Sequence, residues 1–396
     1  MASQYSHMQF FRSTPNALLG RYFSEKHGVL QEIDFDKLKE REVGAIFQGF
    51  TALPSEKQAQ IEAECQDIDA MACQGGVTAL TDEANYHDDA AFPAAISKLD
   101  GFHGAVMWSF LDHPGYWTGA TMFLHSDNVA ESLWKKRNDL PHVKPRVDKA
   151  DTDRLAQAIS GYFFPKQGRA RNCKVEVYRR HQKEYFFAYP EDFAQSGNEW
   201  VRNLLSRQSR HPAFEIIFVY CQAEGSLDIY APRNTKAVPD LQQIFADSIL
   251  MIGPLDEAAQ DNRVYALDAL SNRNFVFHYP PDSGIESVVV HKLRLSLKSG
   301  SNRRVTLEAD ARQDSKAVYT LMDKLALPPF HVTQVEIRVA FTPTPRARGR
   351  TRNFKISSPD WCALRHDGRD AIIRTMLGAS GIEPKVLTSD GEEGAK

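Results

Sequence analysis

The chain lacks the loops that most often cradle phosphate. There is no Gly-x-x-x-x-Gly-Lys, and no Gly-x-Gly-x-x-Gly follows a strand pattern; "ISGYFF" and "MIGPLD" hold single glycines only. ATP-driven and dinucleotide-dependent chemistry are therefore disfavoured, and no cofactor is expected. There is no Gly-x-Ser-x-Gly for a serine nucleophile and no His-Glu-x-x-His for zinc. Cysteine is scarce and odd in number, at 65, 73, 173, 221 and 362, with no metal-ligand spacing. That excludes a disulfide framework and a zinc finger. No apolar run approaches the ~18 residues of a membrane span. The start "MASQYSHMQFFRSTPN" has neither a basic segment nor an apolar core, so no secretory signal is expected. A reduced, cytoplasmic protein without a membrane partner is the consequence.

What is present is an ordinary globular composition: 396 residues, 42% hydrophobic and 25% charged, with net charge −3. Such a length suits two or three domains. Residues 1–7 are set aside as an expression remnant. Residues 8–165 read as a helical domain. "FDKLKEREVGAIFQGF" spaces Leu38, Val43, Ile46 and Phe47 at near-helical intervals, and Pro54-Ser55 opens a run of strong helix formers. "FPAAISKLDGFHGAVMWSFLDHP" offers Val106, Met107 and Phe110 before stopping at His113-Pro114. Further helices are expected at 128–135 and 152–162.

From Cys173 the hydrophobic period becomes two. "CKVEVYRR" and "EYFFAYP" form one predicted hairpin, and "FEIIFVYC" and "SLDIYA" a second; a helix follows at 238–251. Residues 170–255 are thus one α+β subdomain, and 253–263 a linker. Residues 280–385 form another, in ββαββα order. "VVVHKLRLSLK" turns Leu293, Leu295 and Leu297 inward, and "RRVTLEAD" answers with Val305 and Leu307. A helix from Asp314 to about Ala326 follows, with Val318, Leu321 and Leu325 in register. "TQVEIRVAF" then pairs with "RNFKIS", and a last helix at 368–378 buries Ile372, Ile373, Met376 and Leu377. The fold class is α+β: a helical domain followed by antiparallel hairpins covered by helices. The tail 386–396 is polar and reads as disordered.

Charge is unevenly distributed. Between His291 and Lys355, fourteen lysines and arginines stand against five acids. That surplus of nine leaves −12 for the remainder. Arg346, Arg348 and Arg350 fall in one hairpin turn, stiffened by Pro343 and Pro345, with Arg352 and Lys355 just beyond. Lys298, Arg303 and Arg304 flank another turn, and Lys292 and Arg294 lie outward on its strand. If both turns point the same way, the two basic tips meet at one end of the sheet. These ten residues are the candidate nucleic-acid contacts, since clustered cations bind phosphate backbones through counterion release. The reading is a non-enzymatic nucleic-acid-binding protein, with DNA the expected partner. The alternative is an interaction or scaffold subunit of a larger complex, whose acidic remainder and aromatic-rich helical region dock partners and whose basic loops meet an acidic protein surface.

A hydrolase with an unrecognised metal site is the third reading. Its candidate ligands are Glu176, Glu184, Glu215 and Asp228 on or near the strands, and His87, Asp88, Asp89, His103, His113, His125 and Asp127 in the helical region. Neither set has the spacing of a known metal motif, so no catalytic or metal residue is assigned.

Overall fold

A computed structural model describes residues 5–129, 133–201, 204–255, 264–298, 303–311, 314–325, 327–343, 350–359, 361–365 and 368–383. Among them are twelve α-helices and twelve strands, with short 3₁₀ and π turns between. The chain divides into two compact units, Met1–Asn128 and Val129–Lys396.

The first unit is helical: α1 (His7–Ser13), α2 (Asn16–Gly20), α3 (Gly44–Thr51), α4 (Ser55–Met71), α5 (Gln74–Tyr86), α6 (Phe92–Ile96), α7 (Gly101–Asp112) and α8 (Pro114–Asn128). Its core is aromatic and aliphatic, with Phe10, Phe11, Tyr22, Phe23, Phe50, Ile61 and Val106 buried. Tyr5 and His7, from the segment set aside as a remnant, take part in the fold: their rings pack on Phe10, Phe11 and Phe50. The expected helix around 38–47 begins only at Gly44. Arg41 takes a positive φ of 72°, which breaks any helix there.

The second unit holds two five-stranded antiparallel sheets. The first has the order β1-β7-β6-β3-β2, from β1 (Trp134–Arg137), β2 (Cys173–Arg180), β3 (Lys183–Pro190), β6 (Ile216–Cys221) and β7 (Ser226–Tyr230). Both expected hairpins are there. β1 corrects an expectation: residues 134–137 form an edge strand against β7, not the end of a helix. Four residues are too few for hydrophobic period to distinguish the two. Helices α9 (Lys149–Gln167) and α10 (Val238–Phe245) cover one face, where Leu155, Ile159, Phe163, Leu241 and Phe245 pack on Phe186, Phe218 and Leu227. α9 therefore belongs with this sheet, although the sequence reading grouped 152–162 with the N-terminal helices. Tyr185, Phe187, Ile217 and Val219 on the opposite face are buried too. Between β3 and β6 runs a separate hairpin, β4 (Gln195–Val201) and β5 (Leu204–Arg210), which forms its own two-stranded sheet.

The second sheet has the order β12-β11-β10-β8-β9: β8 (Ile285–Leu297), β9 (Arg304–Glu308), β10 (Phe330–Phe341), β11 (Thr351–Ser357) and β12 (Trp361–Cys362). α11 (Ala317–Lys324) and α12 (Gly368–Ala379) complete the ββαββα order. Val290, Leu293, Leu295, Val335, Ile337, Val339, Phe354 and Ile356 line one face, packed with Val318, Tyr319, Ile373, Met376 and Leu377. Leu325 is a correction: α11 ends at Lys324 and Leu325 is exposed. Leu297 and Ile372 are only half-buried.

Candidate interface on the second sheet

The pairing of β8 with β10 decides where the basic turns lie. The strands are antiparallel, with Leu297 opposite Phe330 and Ile285 opposite Phe341. The β8–β9 turn follows Leu297, and the β10–β11 turn follows Phe341. The described ends of the two basic turns, Lys298 and Arg303 for one and Thr342 and Arg350 for the other, therefore lie at opposite ends of the sheet and not side by side. At ~3.3 Å per residue, β10 separates them by about 36 Å. Alternation inside each strand is blind to this, because it carries no information on strand order.

The arrangement joins the two ends by one continuous surface. Side chains alternate across a pleated sheet, so partners of the buried rows point to the other face. One cross-strand row there is Glu308–Lys292–Glu336–Lys355, and the next is Thr306–Arg294–Gln334–Ser357. Arg304 stands opposite Ser296, and Arg338 opposite Asn353, to which its Nε donates at 3.2 Å. Five cations, Lys292, Arg294, Arg304, Arg338 and Lys355, thus share this face with two carboxylates, Glu308 and Glu336. Lys298 and Arg303 are exposed at one end, and Arg350 at the other. Arg338 was not among the expected contacts, although its outward parity between Ile337 and Val339 was readable.

Not all of these cations are equally available. Lys292 Nζ lies 3.0 Å from Glu308 and 3.5 Å from Glu336. The hydrogen bond to Glu308 and the charge of Glu336 raise its pKa above the ordinary lysine value. Lys355 sits over the Trp361 ring, 4.5 Å from its centroid. Arg352 stands on the core face, opposite Val339 and in phase with Phe354 and Ile356. Its guanidinium donates to both Asp370 oxygens at 3.0 and 2.8 Å, and to the Ala363 carbonyl at 2.9 Å. Arg352 therefore ties β11 to α12, and its expected place among the outward contacts is corrected. Arg346 and Arg348 lie outside the described residues.

His291 lies at an irregularity in the β8–β10 register, between Val290 opposite Ile337 and Lys292 opposite Glu336. Its Nε2 is buried and has no hydrogen-bond partner. Burial, aided by the Arg338 charge, lowers its pKa below the ordinary histidine value.

The carboxylates weighed as metal ligands are placed differently. Glu176 receives bonds from Lys174 at 2.5 Å and Tyr178 at 3.3 Å. Glu184 lies 3.6 Å from Arg179. Asp228 on β7 stands directly opposite Lys136 on β1, in a buried charge cluster. There Lys136 Nζ donates to Glu224 at 2.8 Å and to Glu383 at 2.9 Å, and Arg374 donates to Glu383 at 2.6 Å. Arg374 and Glu383 come from α12 and the turn after it, so this cluster fastens the second sheet's helix to the first sheet's edge. Burial would raise the Glu224 carboxyl, but Lys136 and Lys183 outweigh it and hold the group well below the ordinary range. For Glu383, burial acts the same way and Arg374 and Lys136 prevail. Asp228 goes the other way: burial raises it despite Lys136.

In the helical unit, His103 bonds Asp69 at 2.9 Å, Asp89 accepts from Tyr116 at 3.0 Å, and His113 packs among Phe92, Trp108 and Tyr116. Among the described residues no group of three or more His, Cys, Asp or Glu side chains is arranged to hold a metal ion. No described helix is long and apolar enough to cross a membrane. The charge asymmetry extends to the units. Residues 1–128 carry eighteen acids against eight lysines and arginines, leaving thirty-three against forty in the rest. No protein-family model and no curated protein sequence matches this chain.

Proposed function

We propose that the open face of the second sheet binds nucleic acid, with duplex DNA as the expected partner, and that the protein is not an enzyme. The observation that carries the reading is the cation-rich outer face: half-buried Arg294 and Arg338 and exposed Arg304 along it, with exposed Lys298 and Arg303 at one end and Arg350 at the other. Its length of about 36 Å matches roughly one turn of duplex. Arginine forks pair with phosphate oxygens, and among the described residues no helix lies on this outer face to read base edges. Binding is therefore to the backbone and independent of sequence. Five free cysteines, Cys65, Cys221 and Cys362 of them buried, suit a reducing compartment, and the reading places the protein in the cytoplasm.

Fluorescence anisotropy with a labelled duplex across a salt series tests this. Neutralising about five phosphates gives a log–log salt slope of roughly −4 to −5. The Arg294→Glu/Arg304→Glu/Arg338→Glu variant is expected to lose binding by about a hundredfold or more at low salt, for all sequences alike. Absence of binding to any DNA or RNA at low salt overturns the reading. So does a triple variant that binds as the wild type does.

A further inference from the structure

His27 is held against α4 by both of its ring nitrogens. It closes the π turn Arg21–Lys26, and its side chain is only 3% exposed. Its Nε2 lies 3.0 Å from Glu64 Oε2, and its Nδ1 lies 3.1 Å from Lys57 Nζ. Lys57 and Glu64 are two turns apart on one face of α4. That spacing sets them about 10 Å apart along the helix axis, a gap that one imidazole with a hydrogen bond at each nitrogen bridges. Glu64 also accepts from the Tyr22 hydroxyl at 3.0 Å, and the Tyr22 ring packs edge-on against His27 at 4.7 Å.

These partners decide where the imidazole proton sits. An ammonium has donors and no acceptor, so Nδ1 accepts from Lys57, and the ring proton is on Nε2, which donates it to Glu64. A second proton, on Nδ1, ends the arrangement. Two donors, each positively charged, then face one another at the Lys57 side, while the bond to Glu64 survives. Burial lowers the pKa of His27, Lys57 and Lys26 lower it further, and the hydrogen bond and charge of Glu64 oppose them. The remaining charges at the π turn are engaged elsewhere. Lys26 lies over the Phe110 ring of α7, 4.4 Å from its centroid, and Arg21 pairs with Asp112 of α7 and stands 3.7 Å from Glu25.

His27 is also the first residue of a stretch without helix or strand that runs to Val43. Gly28 follows at φ 66°, with no atom within 4 Å of the place where a side chain would begin, so the backbone has room to turn there. The amides of His27 and Val29 donate back to Tyr22 and Phe23 at 3.2 and 2.9 Å. Farther on, Asn16 holds the stretch through the Leu38 carbonyl at 3.1 Å and Glu40 at 3.3 Å. We propose that His27 is a proton-operated clasp. Neutral, it pins the start of this stretch to α4; protonated, it releases Lys57 and lets residues 27–29 lift away about Gly28, while the part held by Asn16 stays in place. The lifted state binds the proton more readily than the closed one, so closure weakens as pH falls below the ordinary histidine value near 6.5 and is restored above it.

Two measurements on the full chain test this. Long-range proton–nitrogen NMR of the histidine rings, with His27→Gln identifying the resonances, is expected to show the Nε2–H tautomer at neutral pH. Amide hydrogen exchange, corrected for its intrinsic pH dependence, is expected to quicken roughly tenfold at His27 and Val29 one pH unit below 6.5, the ratio that a single linked proton gives. The Asn16 amide is expected to stay protected. A glutamine amide accepts and donates as the neutral imidazole does but does not titrate, so His27→Gln is expected to keep residues 27–29 protected at both pH values. Lys57→Met is expected to shrink the response, because the charge that resists protonation is gone. The Nδ1–H tautomer overturns the proposal, as does a wild type without the pH response or a response unchanged in either variant. Equal quickening at Asn16 overturns it too, since that is unfolding of the whole unit and not a clasp. The tautomer and the wild-type exchange decide the matter even if a variant fails to fold. All of these residues lie in the first unit, so the outcome is separate from that of duplex binding.

Discussion

The two five-stranded sheets of the second unit are both antiparallel and both built from hairpins, yet they expose themselves to water in opposite ways. In the first, β6 is buried at every position from Ile216 to Cys221. Phe186, Phe218 and Tyr220 meet helices on one side, while Tyr185, Ile217 and Val219 are buried on the other. In the second, β10 alternates residue by residue, with Val335, Ile337 and Val339 at the core and Gln334, Glu336 and Arg338 turned away. The sequences differ accordingly: "FEIIFVYC" is a continuous apolar run and "TQVEIRVAF" a strict alternation. A sheet closed on both faces is a scaffold. A sheet with one polar face has a surface to offer, and here that surface is cationic.

The contact that joins these two sheets should give the largest effect when broken. Lys136 of the first sheet's edge is buried against Glu224, Asp228 and Glu383, and Glu383 also receives Arg374. Lys136→Met removes one cation and leaves buried carboxylates without it. A loss of about 3–5 kcal/mol in unfolding free energy is expected from urea titration. Loss of coincidence between tryptophan fluorescence and far-ultraviolet circular dichroism would show that the sheets then unfold separately.

The same cluster predicts how stability varies with pH. Glu224 and Glu383 are held below the ordinary carboxyl value in the fold. The unfolded chain therefore binds more protons as pH drops through the carboxyl range near 4.5, and the stability they contribute at neutral pH is lost there. Asp228, raised by burial, has the opposite sign and blunts the loss. Glu383→Gln is expected to lower stability at pH 7 and to flatten the acid limb of the thermal melting profile. An unchanged acid limb would show that the cluster does not govern it.

A smaller effect belongs to Arg352, which carries charge on the core side of the otherwise outward-facing basic set. Arg352→Ala strips two hydrogen bonds from the largely buried Asp370, which keeps its bond from the Arg365 amide at 3.0 Å. About 1–3 kcal/mol of stability is expected to go. Duplex affinity, measured well below the melting temperature, is expected to stay within about twofold, since Arg352 takes no part in the outward face.

Much of this was readable from residues alone, for a physical reason specific to each part. Alternation located β8, β10 and β11 because one face of each meets water. The parity that turns Arg352 inward was readable too, in phase with Phe354 and Ile356. The β4–β5 arm escaped because "QSGNEWVRNLL" has no buried face to impose alternation; its apolar residues cluster at a tip instead. The separation of the basic turns was not readable, because strand order comes from pairing across long intervals. The buried cluster was beyond reach for the same reason: its members lie at 136, 224, 228, 374 and 383.

The smallest effect on stability sharpens the comparison most. Arg294, Arg304 and Arg338 lie on the face that the core does not use. Replacing all three with glutamate is expected to change unfolding free energy by no more than about 0.5 kcal/mol per site. Ile217→Ala, in the sheet buried on both faces, is expected to cost about 2–5 kcal/mol. The order inverts for duplex binding: Ile217→Ala is expected to leave the affinity of the folded protein unchanged, while the triple glutamate variant loses it. Thermal melts and anisotropy on the same two preparations separate the sheets into one that holds the fold and one that meets a partner. Equal loss of stability in both would mean that the second sheet's outer face is covered in the working protein, and that its cations are structural.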